Sequence, residues 1–451
     1  MSPPAPHPGN SPHTTRDAVL WLGVYLAAVT VPLFALLPGP AAGRGFVWDF
    51  AMALGYAGLA MFGVQFALTA RFKRATAPFG IDIVYYFHRY LAVAALAVVV
   101  AGHYGILRAT NPAALGSADP TSAPAYMTAG RVALVLLALV VVSSLARRAL
   151  RIDYDGWRIA HAALATTAFG AALSHLLGAG RFLDTAWKQA LWAAYGAFWV
   201  LLIAYVRVLR PLRVARRPWK VTDVRAERGA VWTLALEPAH ATEWLRFAPG
   251  QFAWLTLRAS PFAMREHPFS IASSAERPRR IEFSIKELGD FTSTIKDTKP
   301  GETAWIDAPY GTFGIDEHPH AEGYAFVAGG VGIAPIMSML RTLADRGDRR
   351  PLVLFYGNRV WDRVAFREEL DALAQRLNLE VVHVLLEPPA DWTGERGFVT
   401  EDVLMRHLPI TRHRFEYFLC GPVSMTKSVE RALAALGVQA ARVHSEIFDW
   451  V

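Results

Sequence analysis

Cysteine is nearly missing from this chain. Cys420 is the single one among 451 residues, so an intramolecular disulfide, a four-cysteine iron–sulfur cluster and a cysteine-built zinc site are all excluded. Charge is scarce as well. Charged residues make up 19% against 53% hydrophobic ones, below the roughly 25% of ordinary soluble domains, which argues against both a disordered chain and a wholly soluble one. There is no internal repeat, no calcium-loop pattern and no Gly-x-Gly-x-x-Gly fingerprint of a Rossmann dehydrogenase. The length itself suits about three domains of roughly 150 residues each.

What the chain does have is apolar length. Six long runs fill the first half, at about 17–37, 47–70, 84–107, 128–147, 157–178 and 186–209, and nothing comparable follows Leu209. Each reaches the roughly 20 residues that cross a bilayer core. The basic residues between the runs alternate. Arg71, Lys73 and Arg74 follow the second run; Arg147, Arg148, Arg151 and Arg158 follow the fourth; Arg207, Arg210, Arg213, Arg216, Arg217 and Lys220 follow the sixth. The intervening connections hold only Arg44, then Arg108, then Arg181 and Lys188. The positive-inside rule therefore puts both termini in the cytoplasm of a multi-pass cell-membrane protein. It also accounts for much of the net charge of +8 with no nucleic-acid partner. The Pro-rich start, residues 1–16, reads as a disordered cytoplasmic tail. A cleaved signal peptide is the rival reading of 17–37, helped by Ala41 and Ala42, but Arg16 alone is a thin basic region and the apolar run is long for a signal.

Four of the fourteen histidines fall inside these runs: His88 and His103 in the third, His161 and His175 in the fifth. On a helix, fifteen residues end about 60° past four turns and fourteen about 40° short, so each pair shares a face with its members roughly 21–22 Å apart. The third and fifth spans cross in the same direction. His88 can thus face His161 near the cytoplasmic side, and His103 can face His175 near the outer side. Facing imidazoles at two depths suit two stacked bis-histidine haems; the plainer reading is helix–helix hydrogen bonding. Arg89, Arg131 and Arg158 lie near these histidines in the chain, either as propionate partners or as snorkelling interface residues.

At this point the chain resembles the ferric reductase and NADPH oxidase superfamily, with the inner histidines in the contexts His88-Arg89 and Trp157-Arg158-x-x-His161. The resemblance implies two b-type haems in the transmembrane domain, residues 17–210.

From Pro211 the pattern changes. Short alternating stretches, Ala230–Leu236, Phe252–Leu257, Ile281–Ile285 and Thr303–Ile306, predict a small antiparallel barrel over 211–320. Beyond it, apolar strands alternate with helical patterns: Tyr324–Val327, Pro335–Leu343, Leu352–Tyr356, Phe366–Leu377, Glu380–Leu386, Glu416–Leu419 and Val423–Leu436. That predicts an α/β domain with a parallel sheet over 321–451. The barrel holds Arg265-Glu266-His267-Pro268-Phe269-Ser270, similar to the flavin motif of the ferredoxin-reductase superfamily, and then Lys286-Glu287-Leu288-Gly289-Asp290-Phe291-Thr292 and Pro309-Tyr310-Gly311. The resemblance implies FAD, with Ser270 beside the reactive flavin nitrogen, a basic residue near the pyrophosphate, and Lys286, Gly289 and Thr292 in a second FAD segment.

Gly329-Gly330-Val331-Gly332-Ile333-Ala334-Pro335, between a strand and a helix, offers bare amides at a positive helix end. Together with Cys420-Gly421-Pro422 it resembles the family's NAD(P)H-binding motifs. The family puts Cys420 near the nicotinamide, not as a nucleophile; its plainer role is a small buried hydrophobe. Arg359 suits an adenosine 2′-phosphate or plain surface charge, so NADH and NADPH stay open. Glu446-Ile447-Phe448 is similar to the family's terminal Glu-x-Phe, where the aromatic covers the flavin. Here Asp449, Trp450 and Val451 follow, which leaves Phe448 and Trp450 as candidates.

The expected function is transmembrane electron transfer from cytoplasmic NAD(P)H through FAD and two haems to an extracytoplasmic ferric chelate. The alternatives are reduction of dioxygen to superoxide, a haem subunit supplying electrons to a partner protein, and a proton transporter whose histidines relay protons.

Overall fold

The computed structural model describes residues 15–36, 45–72 and 81–446, so residues 1–14 of the expected tail, Lys73 and Arg74 of the basic stretch, and Phe448 and Trp450 lie outside the described residues, while Thr15 and Arg16 already belong to a helix. The chain separates between Leu212 and Arg213 into two compact units.

The first unit is all helix: α1 (Thr15–Phe34), α2 (Phe46–Thr69), α3 (Ile81–Ala97), α4 (Ala125–Ala146), α5 (Tyr154–Ala179) and α6 (Ala186–Ala204). Five described helices are long and apolar enough to cross a membrane; the apolar part of α1, Val19–Phe34, is shorter. Half of the apolar window of α2 is buried against 11% of that beginning at Val84, which makes α2 the inner helix. Val135, Leu139 and Val142 of α4 and Leu201 of α6 are exposed, as lipid-facing surface requires. Lys188, 1% exposed, meets Asp184 at 2.9 Å. The third span is not uniform. After α3 the chain winds as a π-helix over Val98–Gly105 before Ile106–Thr110 resumes α geometry. The wider π winding turns less per residue, which trims the overshoot that fifteen α-helical residues would give between His88 and His103.

In the second unit six antiparallel strands form the first sheet: β1 (Pro218–Glu227), β2 (Val231–Pro238), β3 (Phe252–Leu257), β4 (Glu266–Ser270), β5 (Ile281–Lys286) and β6 (Thr303–Tyr310). The order is β4-β3-β6-β1-β2-β5, and a bridge between Ile271 and Phe283 ties the two edges so that the sheet curls. Strand β2 starts one residue later than its pattern suggests, because Ala230 sits at φ 57° in the turn. Strands β1 and β4 escape an apolar-run search: β1 is largely polar and β4 carries Glu266 and His267.

A second, wholly parallel sheet follows: β7 (Tyr324–Gly329), β8 (Leu352–Asn358), β9 (Leu379–Leu385), β10 (Glu395–Arg396), β11 (Glu416–Cys420) and β12 (Val443–Glu446), in the order β10-β9-β8-β7-β11-β12. Helices α8 (Ile333–Arg346), α9 (Arg367–Arg376), α10 (Glu401–His407) and α11 (Val423–Ala435) cover it; a single turn, α7 (Asp290–Ser293), precedes them in the barrel. Parallel strands are buried on both faces, so β7, β8 and β11 read as apolar runs. The short edge strands β10 and β12 do not.

Arg341 of α8 locks the barrel to this sheet. Its guanidinium donates to Glu369 Oε1 at 2.6 Å, to the Ala272 carbonyl at 2.7 Å and to Glu282 Oε2 at 3.2 Å. Burying it would be costly without these partners.

Candidate functional site

In the helical unit the four span histidines meet in two pairs with the same geometry. Ring centroids of His88 and His161 are 6.2 Å apart at an interplanar angle of 66°, and those of His103 and His175 are 6.2 Å apart at 66°. Two metal–imidazole bonds of about 2.0 Å plus the two half-rings fill such a gap. An edge-to-face contact between two rings spans the same distance.

The rings are oriented by groups the motif does not contain. His103 Nδ1 lies 2.9 Å from the Ala51 carbonyl, and His175 Nδ1 lies 2.9 Å from the Tyr126 carbonyl. A carbonyl only accepts, so both Nδ1 atoms carry the proton and Nε2 keeps its lone pair for a ligand. On the inner side Ser144 donates to the Val140 carbonyl and so accepts from His161 Nδ1 at 3.1 Å. His88 Nδ1 is buried with no hydrogen-bond partner. Two glycines make room. A Cβ on Gly55 would lie 2.8 Å from His103 Nδ1, and one on Gly130 would lie 2.7 Å from His175 Nδ1. The residues fit a metal porphyrin between each pair. Of the three arginines, Arg131 donates to the Leu115 carbonyl at 2.6 Å and leaves Nη1 buried without a partner; Arg89 is exposed and Arg158 half-buried.

In the second unit β4 carries His267, Pro268, Phe269 and Ser270, with the exposed Arg265 just before it. His267 stacks on Phe291 at 3.9 Å, and Phe269 stands 6.0 Å from the same ring. Phe291, within the segment whose Lys286, Gly289 and Thr292 resemble a second FAD motif, thus joins the site. Ser270 is 6% exposed and its Oγ has no partner. Such an orphan hydroxyl is what a bound flavin ring would satisfy. Gly289 and Thr292 meet in the turn that opens α7. Thr292 Oγ1 accepts from the amides of Leu288 and Gly289, both at 2.9 Å, so these amides serve the turn.

The nucleotide turn runs from β7 into α8, with Gly330 at φ 54°. Backbones touch there: a Cβ on Gly332 would meet the Cys420 carbonyl at 2.1 Å. The turns Gly329–Pro335 and Cys420-Gly421-Pro422 therefore form one surface at the carboxyl ends of β7 and β11, the usual ligand position in such sheets. Lys286 reaches this surface, since its Nζ would lie 3.9 Å from a Cβ on Gly330. Its charge is placed for the nucleotide turn as well as for the flavin segment. Cys420 is fully buried, and burial pushes its thiol pKa well up, with Glu446 adding to the shift. Arg359 is exposed and its Nε donates to Glu387 at 3.0 Å. Glu446 Oε1 would lie 3.9 Å from a Cβ on Gly311, which brings the end of β12 to the Pro309-Tyr310-Gly311 turn.

Three family models match the chain in order: "Ferric reductase like transmembrane component" over residues 54–172, "FAD-binding domain" over 220–312 and "Oxidoreductase NAD-binding domain" over 326–431. NADH-cytochrome b5 reductase 1 of Debaryomyces hansenii is 32% identical over 168 residues, 37% of this chain and 59% of that protein. The stachydrine N-demethylase reductase subunit of Rhizobium meliloti is 31% identical over 206 residues, 44% of this chain and 58% of that protein. The matched stretch thus spans under two thirds of these relatives' own length. Among solved structures, the FAD/NAD-binding domain of a nitric oxide dioxygenase from Vibrio cholerae is 23% identical with a TM-score of 0.46, covering 51% of this chain and 98% of that one.

Proposed function

Because this chain is built to the ferric reductase/NADPH oxidase-type architecture, a transmembrane component followed by FAD-binding and NAD-binding domains, we propose that it is a cell-membrane oxidoreductase. It moves electrons from cytoplasmic NAD(P)H to a ferric chelate on the far side, with both termini cytoplasmic. When bound, FAD exchanges an electron pair for single electrons and the b-type haems offer single-electron stations across the bilayer.

The protein's part is placement. His88 with His161 and His103 with His175 hold the two haems, and the carbonyls of Ala51 and Tyr126 fix the outer ring orientations. Arg265 approaches the FAD pyrophosphate, Ser270 offers its hydroxyl to the flavin ring, and the His267–Phe291 stack walls the site. The amides of Gly330 to Gly332 at the start of α8 receive the nucleotide pyrophosphate, with Lys286 adding charge. Gly421 and Pro422 border the nicotinamide, and a terminal aromatic, Phe448 or Trp450, covers the flavin until it yields. Arg359 reaches a 2′-phosphate only by leaving Glu387.

The observation that carries this reading is the repeated 6.2 Å separation of paired histidine rings at two depths. Proteoliposomes with a ferric chelate and a ferrous indicator trapped inside test it. NAD(P)H added outside is expected to produce ferrous iron inside, and His161→Leu to abolish that signal together with half of the b-haem absorbance. A signal removed by superoxide dismutase assigns dioxygen as the acceptor instead. A purified protein with no Soret band ends the haem reading.

A further inference from the structure

We propose that His318, Glu416 and His444 form a site for a divalent metal of the zinc class that clamps the edge strand β12 to its sheet. The inference uses no part of the electron-transfer reading. The three residues come from separate segments: His318 ends the turn after Ile315–Glu317, Glu416 opens β11, and His444 lies in β12 opposite Phe418.

Their side chains converge on one oxygen. His444 Nε2 is 3.0 Å from Glu416 Oε2 and His318 Nδ1 is 3.8 Å from the same atom. The three ligand atoms all lie within 4.8 Å of one another. Ligands about 2.0–2.2 Å from a shared ion lie at most roughly 4.4 Å apart, so a slight turn of a ring gathers all three.

The surroundings favour that use. The other carboxylate oxygen, Oε1, is held by Arg442 Nη1 at 2.7 Å, which aims Oε2 at the imidazoles. Phe418 backs both rings, with its centroid 5.0 Å from His444 and 6.0 Å from His318. His318 is 27% exposed and His444 22%, which leaves an entry path and a position for water. Two imidazoles and one carboxylate with an open position suit zinc chemically. The plainer alternative is that His444 alone donates a hydrogen bond to Glu416 and His318 packs against the His444 ring, 4.1 Å between centroids.

The site lies at the beginning of β11, whereas the nucleotide turns lie at its end, so the ion stands apart from the nucleotide. Strand β12 has four residues and pairs with β11 alone. An ion at its start anchors it where few backbone bonds do.

Purified full-length protein, stripped with chelator and dialysed against zinc, is expected to hold one zinc per chain by elemental analysis. His318→Gln and His444→Gln should each weaken binding by more than about 10–100-fold, the usual cost of losing only an outer-shell partner. Arg442→Met, which releases Oε1 and so loosens the aim of Oε2, should weaken zinc binding less than loss of either histidine. Zinc should also slow hydrogen exchange across residues 443–446 of the unsubstituted chain, a readout that needs no variant. Absence of bound zinc, unchanged binding in the His318→Gln/His444→Gln double variant, or no zinc-dependent slowing in β12 overturns the proposal.

Discussion

Gly130 acts by what it leaves out. A methyl group there would stand 2.7 Å from His175 Nδ1, nearer than packed atoms tolerate, so the ring would have to leave the Tyr126 carbonyl. On the proposed haem assignment, Gly130→Ala is expected to lose the outer haem and keep the inner one, seen as one redox wave instead of two in a potentiometric titration. Ser270 poses the opposite case, a buried hydroxyl without a partner. Such a group costs about 1–3 kcal/mol when unsatisfied. Ser270→Ala should hold FAD while slowing flavin reduction in stopped-flow traces, yet raise the melting temperature of the flavin-free protein. A slow variant that melts lower would contradict this.

At the scale of elements, the short strand β10 is held mainly by side chains. His407, the last residue of α10, places Nδ1 2.6 Å from Glu380 of β9 and Nε2 3.0 Å from Glu395 of β10. Burial by itself would lower its pKa, but the bonds to Glu395 and Glu380 outweigh that and raise it above 6.5. A raised folded-state value stabilises most below the unfolded pKa of about 6.5 and loses that contribution as pH climbs through the folded value. The melting temperature should accordingly fall from about pH 6 to pH 8, and His407→Gln should flatten that slope. The π-helical stretch Val98–Gly105 shows the limit of pattern reading at this scale. Periodicity assigns the span, but the local widening answers to packing against α2, where Gly102 meets Leu54.

For the molecule as a whole, the proposed division of labour predicts separable activities. Protein made under haem starvation should still pass electrons from NAD(P)H to ferricyanide added on the flavin side. It should fail to reduce a chelate enclosed in vesicles, and adding haem should restore the second activity alone. Loss of both activities would mean that haem serves the fold of the helical unit and not the transfer.

Much of this architecture is written locally. Six apolar runs, alternating basic connections, four histidines at two depths and an ordered series of flavin and nucleotide motifs need only neighbouring residues to be read. The partners that finish the sites are not local. The carbonyls of Ala51 and Tyr126 have no side-chain signature, and His318, Glu416 and His444 converge only once β11 and β12 pair. A span that is apolar all round carries no periodic signal for its inward face, so its rotation is decided by packing. Strand register does the same for the sheet, because hydrogen bonds between distant segments, not any short stretch, choose which side chains meet.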